Sequence, residues 1–282
     1  MRMMRKRRFA SAMLALILLL GPAASGLAET TEGFIPDSVA VTEYYVRDES
    51  ASGSTSDDGL IIDGMVFGSD DREVIDNTDE YPFCAVAYME AHYPCGCEKS
   101  GTGFMVERNK LMTAAHCMVC CEHSQWADQI EFYFGFRDFD NYSYLYDGKW
   151  YAFVGDTFPN KTYTSDNDWA VVKFYKNIGD IVGWFGFSYN MPNKQITSKE
   201  MLLLGYKWGT LRISEGKAKA GSGDLITYWI DAEAGNSGGP VFYLDNGVPY
   251  AAAIHVADNK QNNYGYRITG EMYSKFMELD DY

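Results

Sequence analysis

Positive charge is scarce in this sequence. Its 24 Lys and Arg stand against 39 Asp and Glu, for a formal net charge of −15. Without the five basic residues at the extreme amino terminus (Arg2, Arg5, Lys6, Arg7 and Arg8) the charge becomes about −20. An acidic surface disfavours polyanions and excludes nucleic acid as an expected partner, although it selects no fold. Long apolar runs are also lacking. After the stretch from Phe9 to Leu20 none reaches the roughly 20 residues that span a bilayer, so no membrane anchor is expected. A long helical period is absent before Thr269, which argues against a bundle or a helix-flanked parallel sheet.

What is present falls into three parts. The basic start, the apolar stretch and the small residues leading to Gly26-Leu27-Ala28 read as a secretory signal peptide over residues 1–28, cleaved after Ala28. Residues 29–65 form an acidic segment with the small polar run from Ser50 to Gly59, and are expected to be a flexible, removable pro-segment that buries little surface. From residue 66 to 282 Tyr, Phe, Trp, Val and Ile become frequent. Short runs rich in these residues, at Phe83–Met89, Ile130–Phe134, Trp169–Phe174, Leu202–Leu204, Leu225–Ile230, Pro240–Tyr243 and Tyr250–Ile254, are separated by Gly, Asn and Asp. That pattern predicts a mostly β sandwich or barrel. Thr269 is placed to cap a final helix carrying Met272, Phe276 and Leu279.

All six cysteines (Cys84, Cys95, Cys97, Cys117, Cys120 and Cys121) lie in one stretch of a chain expected to be secreted and extracellular. Disulfides are therefore the expected state, in one of about 15 pairings. The rival is a zinc site from Cys95, Cys97, Cys120, Cys121 and a nearby His, on a spacing that is not a strong zinc signature.

Three segments carry chemistry, in chain order: Thr113-Ala114-Ala115-His116-Cys117, Asp166-Asn167-Asp168-Trp169-Ala170, and Gly235-Asn236-Ser237-Gly238-Gly239-Pro240. A serine hydroxyl needs a base to take its proton as it attacks a carbonyl. His116 is the candidate base, Asp168 the carboxylate that orients and stabilises its imidazolium, and Ser237 the nucleophile. The glycine-flanked turn can aim the backbone N–H groups of Gly235 and Ser237 at a developing oxyanion, each worth roughly 3 kcal/mol. Each segment alone is a weak signal; the ordered set is a strong one. His92, His123 and His255 lack the Thr-Ala-Ala lead-in.

These residues resemble the chymotrypsin-like serine peptidases, and within them the glutamyl endopeptidase, or V8-like, branch. The resemblance extends to Val66-Phe67-Gly68-Ser69-Asp70-Asp71-Arg72, Asn77-Thr78, Tyr81-Pro82-Phe83, Ser100-Gly101-Thr102-Gly103-Phe104, Ile254-His255 and Tyr266-Arg267-Ile268-Thr269. It implies two antiparallel six-stranded β-barrels with a C-terminal helix. His116 and Asp168 would come from the first barrel and Ser237 from the second, with the cleft between them. It also implies protein or peptide substrates, an acyl-enzyme and no metal or organic cofactor for the chemistry; a monomer is expected.

Asn236 stands where many animal relatives carry the Asp that pairs with a new amino terminus. The V8-like branch has Asn there too, and the resemblance makes cleavage near Met65 or Val66 the activation step. For the residue before the scissile bond, it maps a glutamate-recognising histidine onto His255. It places Ala232, which has no hydroxyl, where the branch commonly has threonine, and Asp231 where trypsin-like enzymes hold the acid that binds Lys or Arg. Preference for Glu or Asp and preference for Lys or Arg both remain open at this point, as does an inactive relative that uses the fold for binding. The resemblance further implies a bridge from Cys117 to Cys97 or Cys95, leaving Cys84, Cys120 and Cys121 to staple a local loop.

Overall fold

The computed structural model describes residues 5–8, 29–34, 43–46, 64–120, 122–123, 125–155, 167–259 and 261–281. Most of the expected leader and pro-segment, the proposed cut after Ala28, Asp166 and Cys121 lie outside the described residues. Ahead of the core come β1 (Arg5–Arg8), β2 (Glu29–Thr31) and β3 (Glu43–Val46), with β1 and β3 paired antiparallel. The core opens with β4 (Glu73–Val74), β5 (Val86–His92), β6 (Glu98–Glu107), β7 (Lys110–Thr113), β8 (Val119–Cys120), β9 (Gln125–Trp126), β10 (Gln129–Phe134), β11 (Tyr144–Tyr146), β12 (Trp150–Val154) and β13 (Ala170–Phe174). It continues with α1 (Gly179–Val182), β14 (Gly186–Tyr189), α2 (Asn193–Ser198), β15 (Glu200–Lys207), β16 (Thr210–Ala220), β17 (Leu225–Tyr228), β18 (Pro240–Asp245), β19 (Val248–Asp258), β20 (Asn263–Arg267) and α3 (Gly270–Glu278).

The strands form two curled sheets, as a chymotrypsin-like fold requires. The second closes: β18-β15-β16-β17-β20-β19 run antiparallel, and β18 also pairs with β19, giving a six-stranded ring. The first is a seven-stranded path, β11-β10-β5-β6-β7-β13-β12, whose ends share no ladder among the described residues. A side chain spans that seam. The Tyr146 hydroxyl of β11 accepts from Tyr175 N at 3.2 Å, just past β13, and donates to the Lys149 carbonyl before β12.

Burial explains both units. Inward-facing Phe132, Phe134, Trp169 and Phe174 are fully buried in the first sheet, each worth about 1.5–3 kcal/mol. Phe132 and Phe174 meet edge to face at 4.9 Å. Phe185 joins the two units, its ring 5.8 Å from Phe104 of β6 and 5.4 Å from Phe242 of β18.

The expected strands overlap observed ones, but Phe83–Ala85 turns as a 3-10 helix before β5, Trp169 precedes β13, and β17 ends at Tyr228, short of Trp229 and Ile230. The final helix is as expected: Thr269 caps it, accepting from Met272 N at 3.2 Å, and Met272 and Phe276 are buried. Part of the acidic segment is not free. β2 adds to the edge of β14, and Phe34 stacks on Trp184 at 4.4 Å. An unpaired strand edge with exposed N–H and C=O groups accepts such an addition without needing apolar sequence. No described helix is long and apolar enough to cross a membrane.

Candidate active site

His116 sits in a 3-10 turn (Ala115–Cys117) directly after β7, and Asp168 lies two residues before β13. These strands are neighbours, with Thr113 opposite Ala170, so the ladder itself brings the two side chains together. One Asp168 oxygen accepts from the His116 backbone N–H at 2.9 Å, and the other accepts from Nδ1 at 2.6 Å. Asp168 is wholly buried and His116 is 4 % exposed. Burial opposes an imidazolium there, but the carboxylate and the neighbouring Cys117 outweigh it and hold the His116 pKa well above the ordinary value. With Nδ1 bound in this way, a proton exchanged with a substrate would pass through Nε2.

Ser237 lies in the turn between β17 and β18 and is 4 % exposed. Backbone bonds hold this turn: Gly238 N to His255 O at 2.8 Å, His255 N to Gly239 O at 2.9 Å, and Gly239 N to Asn236 O at 2.9 Å. The Asn236 side chain accepts from Glu233 N at 2.9 Å and donates to Tyr206 O at 3.1 Å, so it braces the turn from inside. Gly238 has φ +86, and a Cβ there would lie 2.0 Å from the Thr102 carbonyl oxygen. No other residue fits. Among the described residues neither Gly235 N–H nor Ser237 N–H is engaged by a protein acceptor, which leaves two donors at one turn.

Thr102, on β6 of the first sheet, is the residue that sequence reasoning missed. Its N–H donates to Ser237 O at 2.8 Å, and its hydroxyl donates to Gly235 O at 2.7 Å while accepting from Tyr206 N at 2.9 Å. Thr113 Oγ1 in turn donates to Thr102 O at 2.7 Å. One threonine therefore fixes the Ser237 turn of the second unit to the sheet that carries His116. The signal present was the Gly101-Thr102-Gly103 run, where small flanks permit close approach: a Cβ on Gly101 would meet Cys117 Sγ at 2.6 Å.

The three residues expected to touch substrate have different surroundings. His255, on β19, is fully buried; its Nδ1 meets the Tyr228 hydroxyl at 2.7 Å, and Nε2 has no hydrogen-bond partner. Burial, with the positive charge of His116, lowers its pKa to about 3, so the ring is neutral. The β19–β20 register slips just after it, between His255 and Ala257, the kind of irregularity that re-aims a side chain at a site.

Ala232 is wholly buried, and its N–H donates to Met65 O at 3.0 Å. Asp231 accepts from Phe67 N at 2.7 Å and Asp71 N at 3.1 Å, so both of its oxygens hold the start of the core. Burial raises its pKa to about 6, against the pull of those two bonds.

The cysteines depart from the expected disulfide framework. Cys84, Cys95, Cys97, Cys117 and Cys120 are free thiols. The implied bridge from Cys117 is not formed; its thiol points at Ser237 O, 3.5 Å away. Cys84 is buried at the foot of β5 with its thiol on Val182 O at 3.2 Å.

Residues 101–249 match a family model described as trypsin-like peptidase domain, a span that includes His116, Asp168 and Ser237. An extracellular metalloprotease of Bacillus subtilis is 28 % identical over 217 residues, covering 74 % of this chain and 67 % of its own length. A glutamyl endopeptidase of Bacillus licheniformis is 27 % identical over 222 residues, covering 74 % and 66 %. A glutamyl endopeptidase of Staphylococcus aureus is 24 % identical, covering 70 % and 57 %. The chain thus spans about two thirds or less of these relatives. Among solved structures, a Glu endopeptidase superposes with a TM-score of 0.65 at 23 % identity, covering 77 % of this chain and all of that one. The protease Anisep of Arthrobacter nicotinovorans gives 0.57 at 15 %, covering 68 % and 93 %.

Proposed function

The chain belongs to the trypsin-like peptidase domain family, and on that premise we propose that it is a serine endopeptidase working through His116, Asp168 and Ser237, with a preference for Glu or Asp before the scissile bond. The observation that carries the reading is the doubly bonded, buried Asp168–His116 pair in register with a nucleophile turn whose Gly235 and Ser237 N–H groups are unengaged. His116 Nε2 takes the Ser237 hydroxyl proton as Oγ bonds to the substrate carbonyl carbon. The carbonyl oxygen becomes an oxyanion that the two N–H groups receive. Collapse breaks the C–N bond, His116 returns the proton to the leaving amine, and water repeats the sequence on the acyl-enzyme.

For specificity, His255 supports the acidic preference. If the Tyr228 phenol donates to Nδ1, the ring proton sits on Nε2, a buried donor whose missing partner a substrate carboxylate would supply. Asp231 gives little support to a preference for Lys or Arg, because both its oxygens are bound to backbone N–H groups. Ala232 offers no hydroxyl, so His255 would carry more of the recognition than in relatives with threonine there.

We also infer export through residues 1–28 and removal of residues 29–65. Met65 is threaded beside the site, its N–H donating to Asn263 Oδ1 at 2.8 Å, so a cut here would free a terminus next to Ala232. A fluorophosphonate probe tests the mechanism: the processed chain should be labelled and Ser237→Ala should not. Equal labelling, or none on the parent, rejects it. Cleavage-site profiling on a peptide library tests the preference separately, and cuts showing no enrichment of Glu or Asp reject that part alone.

A further inference from the structure

We propose that Cys95, Cys97, Cys120 and His123 form a binding site for one zinc ion, which staples the segment following His116 to the tip of the β5–β6 hairpin. The four ligating atoms all lie within 4.8 Å of one another. Cys97 Sγ and Cys120 Sγ stand 3.7 Å and 3.4 Å from His123 Nδ1. A tetrahedral zinc ion, with bonds of about 2.3 Å to sulfur and about 2.0–2.1 Å to nitrogen, sets an S···N edge of about 3.6 Å. The two observed edges bracket that length.

The local chain is built for such a knuckle. Cys95-Gly96-Cys97 forms the turn between β5 and β6, where Gly96 takes φ +83 and donates to Tyr93 O at 2.8 Å. Cys120 ends β8 and His123 lies in the loop to β9, so the second pair of ligands comes from the β8–β9 hairpin. Cys120 is buried, Cys95 and Cys97 are half-buried and His123 is exposed, which gives an ion both a shielded seat and an entry path.

A disulfide serves this cluster poorly. Among the described residues, joining any two of the three sulfurs leaves the third thiol stranded beside an imidazole, and a bridge across Cys95-Gly96-Cys97 is strained by its tight ring. One ion takes all four groups. Three thiolates and a neutral imidazole select a soft or borderline cation such as Zn²⁺ over Mg²⁺ or Ca²⁺, and binding releases the thiol protons. The remaining described cysteines do not compete, since Cys84 and Cys117 have their thiols on the carbonyls of Val182 and Ser237. The geometric consequence reaches the catalytic segment: Cys120 is four residues beyond His116, and Tyr93 of the opposing hairpin already donates its hydroxyl to Cys117 O at 3.1 Å. The ion would complete that attachment.

The test uses the full chain purified without chelator and measures zinc by plasma mass spectrometry, with intact mass on the same sample. The expected result is about one zinc per chain. Cobalt(II) substituted for it should give thiolate charge-transfer bands and the intense visible bands of a tetrahedral centre. Cys97→Ser and Cys120→Ser should each weaken zinc binding by more than the roughly 10–100-fold that changes around a ligand produce, while Cys84→Ser retains it. His123→Cys keeps four ligands, so it should hold the metal and shift the cobalt bands even if the serine variants fold poorly. In the metal-free chain, backbone amides over residues 115–127 should exchange at least about tenfold faster. A zinc-free chain lighter by two hydrogens for each bridge among these cysteines overturns the proposal. So does zinc that survives the Cys97→Ser/Cys120→Ser double variant. Neither result bears on fluorophosphonate labelling of Ser237.

Discussion

The two β units hold their functional residues by different means. The first is an open path of strands whose seam is spanned by the Tyr146 hydroxyl, and its His116 is positioned by a side chain, Asp168. The second is a closed ring, and its Ser237 turn is held chiefly by backbone bonds with glycines at Gly235 and Gly238, braced by the neutral Asn236 and Thr102 side chains. On the proposed mechanism, the contrast follows from the chemistry each would do. A base has to change protonation state and therefore needs a fixed charge beside it. A nucleophile and an oxyanion site need only unvarying N–H directions, which backbone supplies with no side-chain entropy to lose. Damage to the first unit should thus appear in the pH profile, and damage to the second in kcat with the profile unmoved.

The sharpest way to break that division is Asp168→Asn. It removes the carboxylate that fixes the His116 tautomer and should lower kcat by about 10⁴-fold at neutral pH. In the parent, catalysis needs neutral His116, whose pKa is raised, so kcat/KM should climb with pH past the ordinary histidine value of about 6.5 before reaching its plateau. In the variant that limb should move to lower pH. The linkage has the matching sign: stability from the His116–Asp168 pair is complete below the unfolded histidine pKa and fades as pH rises through the folded one. Steady-state kinetics from pH 5 to 10 check both, and an unmoved limb would show that Asp168 does not set the charge of His116.

His255→Phe tests the ring side. It should lower kcat/KM for substrates with Glu before the cut by about 100-fold or more, with little change for uncharged residues at that position, because a buried donor gives discrimination that apolar contact lacks. The His255 pKa is pulled down to about 3, so its contribution to the parent's folding stability should be complete above about 6.5 and decline as pH falls from there towards 3, where the unfolded chain takes up the proton first. The variant should show a flatter acid limb in chemical denaturation. A parallel loss on all substrates would instead make His255 a general brace of the turn.

Thr102→Val addresses the join. Losing the hydroxyl strands Gly235 O and Tyr206 N, at a cost of about 1–3 kcal/mol. The pH limb should stay in place while kcat falls, since the nucleophile turn moves and the His116–Asp168 pair does not. Valine keeps the shape, so denaturation midpoints and kinetics measured together separate loosening from unfolding.

How much of this was legible in the sequence depended on how far apart the interacting residues lie. The His116 and Ser237 runs announce themselves because each packs its chemistry into a few neighbouring residues, and Asp168 follows from their order. The closed ring was visible as runs such as Pro240–Tyr243 and Tyr250–Ile254, whose inward positions are apolar. β6 and β16 were not among those runs. The first carries Ser-Gly-Thr-Gly and the second Glu-Gly-Lys-Ala-Lys-Ala, compositions with little strand preference that hold their place through ladders on both sides. Thr102 was invisible for a different reason: its partners Tyr206, Gly235 and Ser237 lie more than a hundred residues away. The cysteines misled through spacing, because neither Cys95-Gly96-Cys97 nor Cys120 with His123 shows that two hairpin tips meet.

The smallest expected effect falls on the element that spans the contrast. α3 leaves the closed ring after β20 and comes to rest on the open sheet, where Lys110 of β7 reaches Asp280 at 2.6 Å and its ammonium lies 4.2 Å from the Phe276 ring centre. Lys173 of β13 donates to Leu279 O at 2.8 Å from the same side. Thr269→Ala removes only the cap on Met272 N and should cost about 1 kcal/mol. If the helix clamps the open sheet, amide exchange should quicken in β7 and β13 as well as in the first turn of α3, while β18 and β19 keep the parent's rates. Faster exchange confined to the helix would mean that the sheet's own ladders, rather than the returning helix, hold the unit that carries His116.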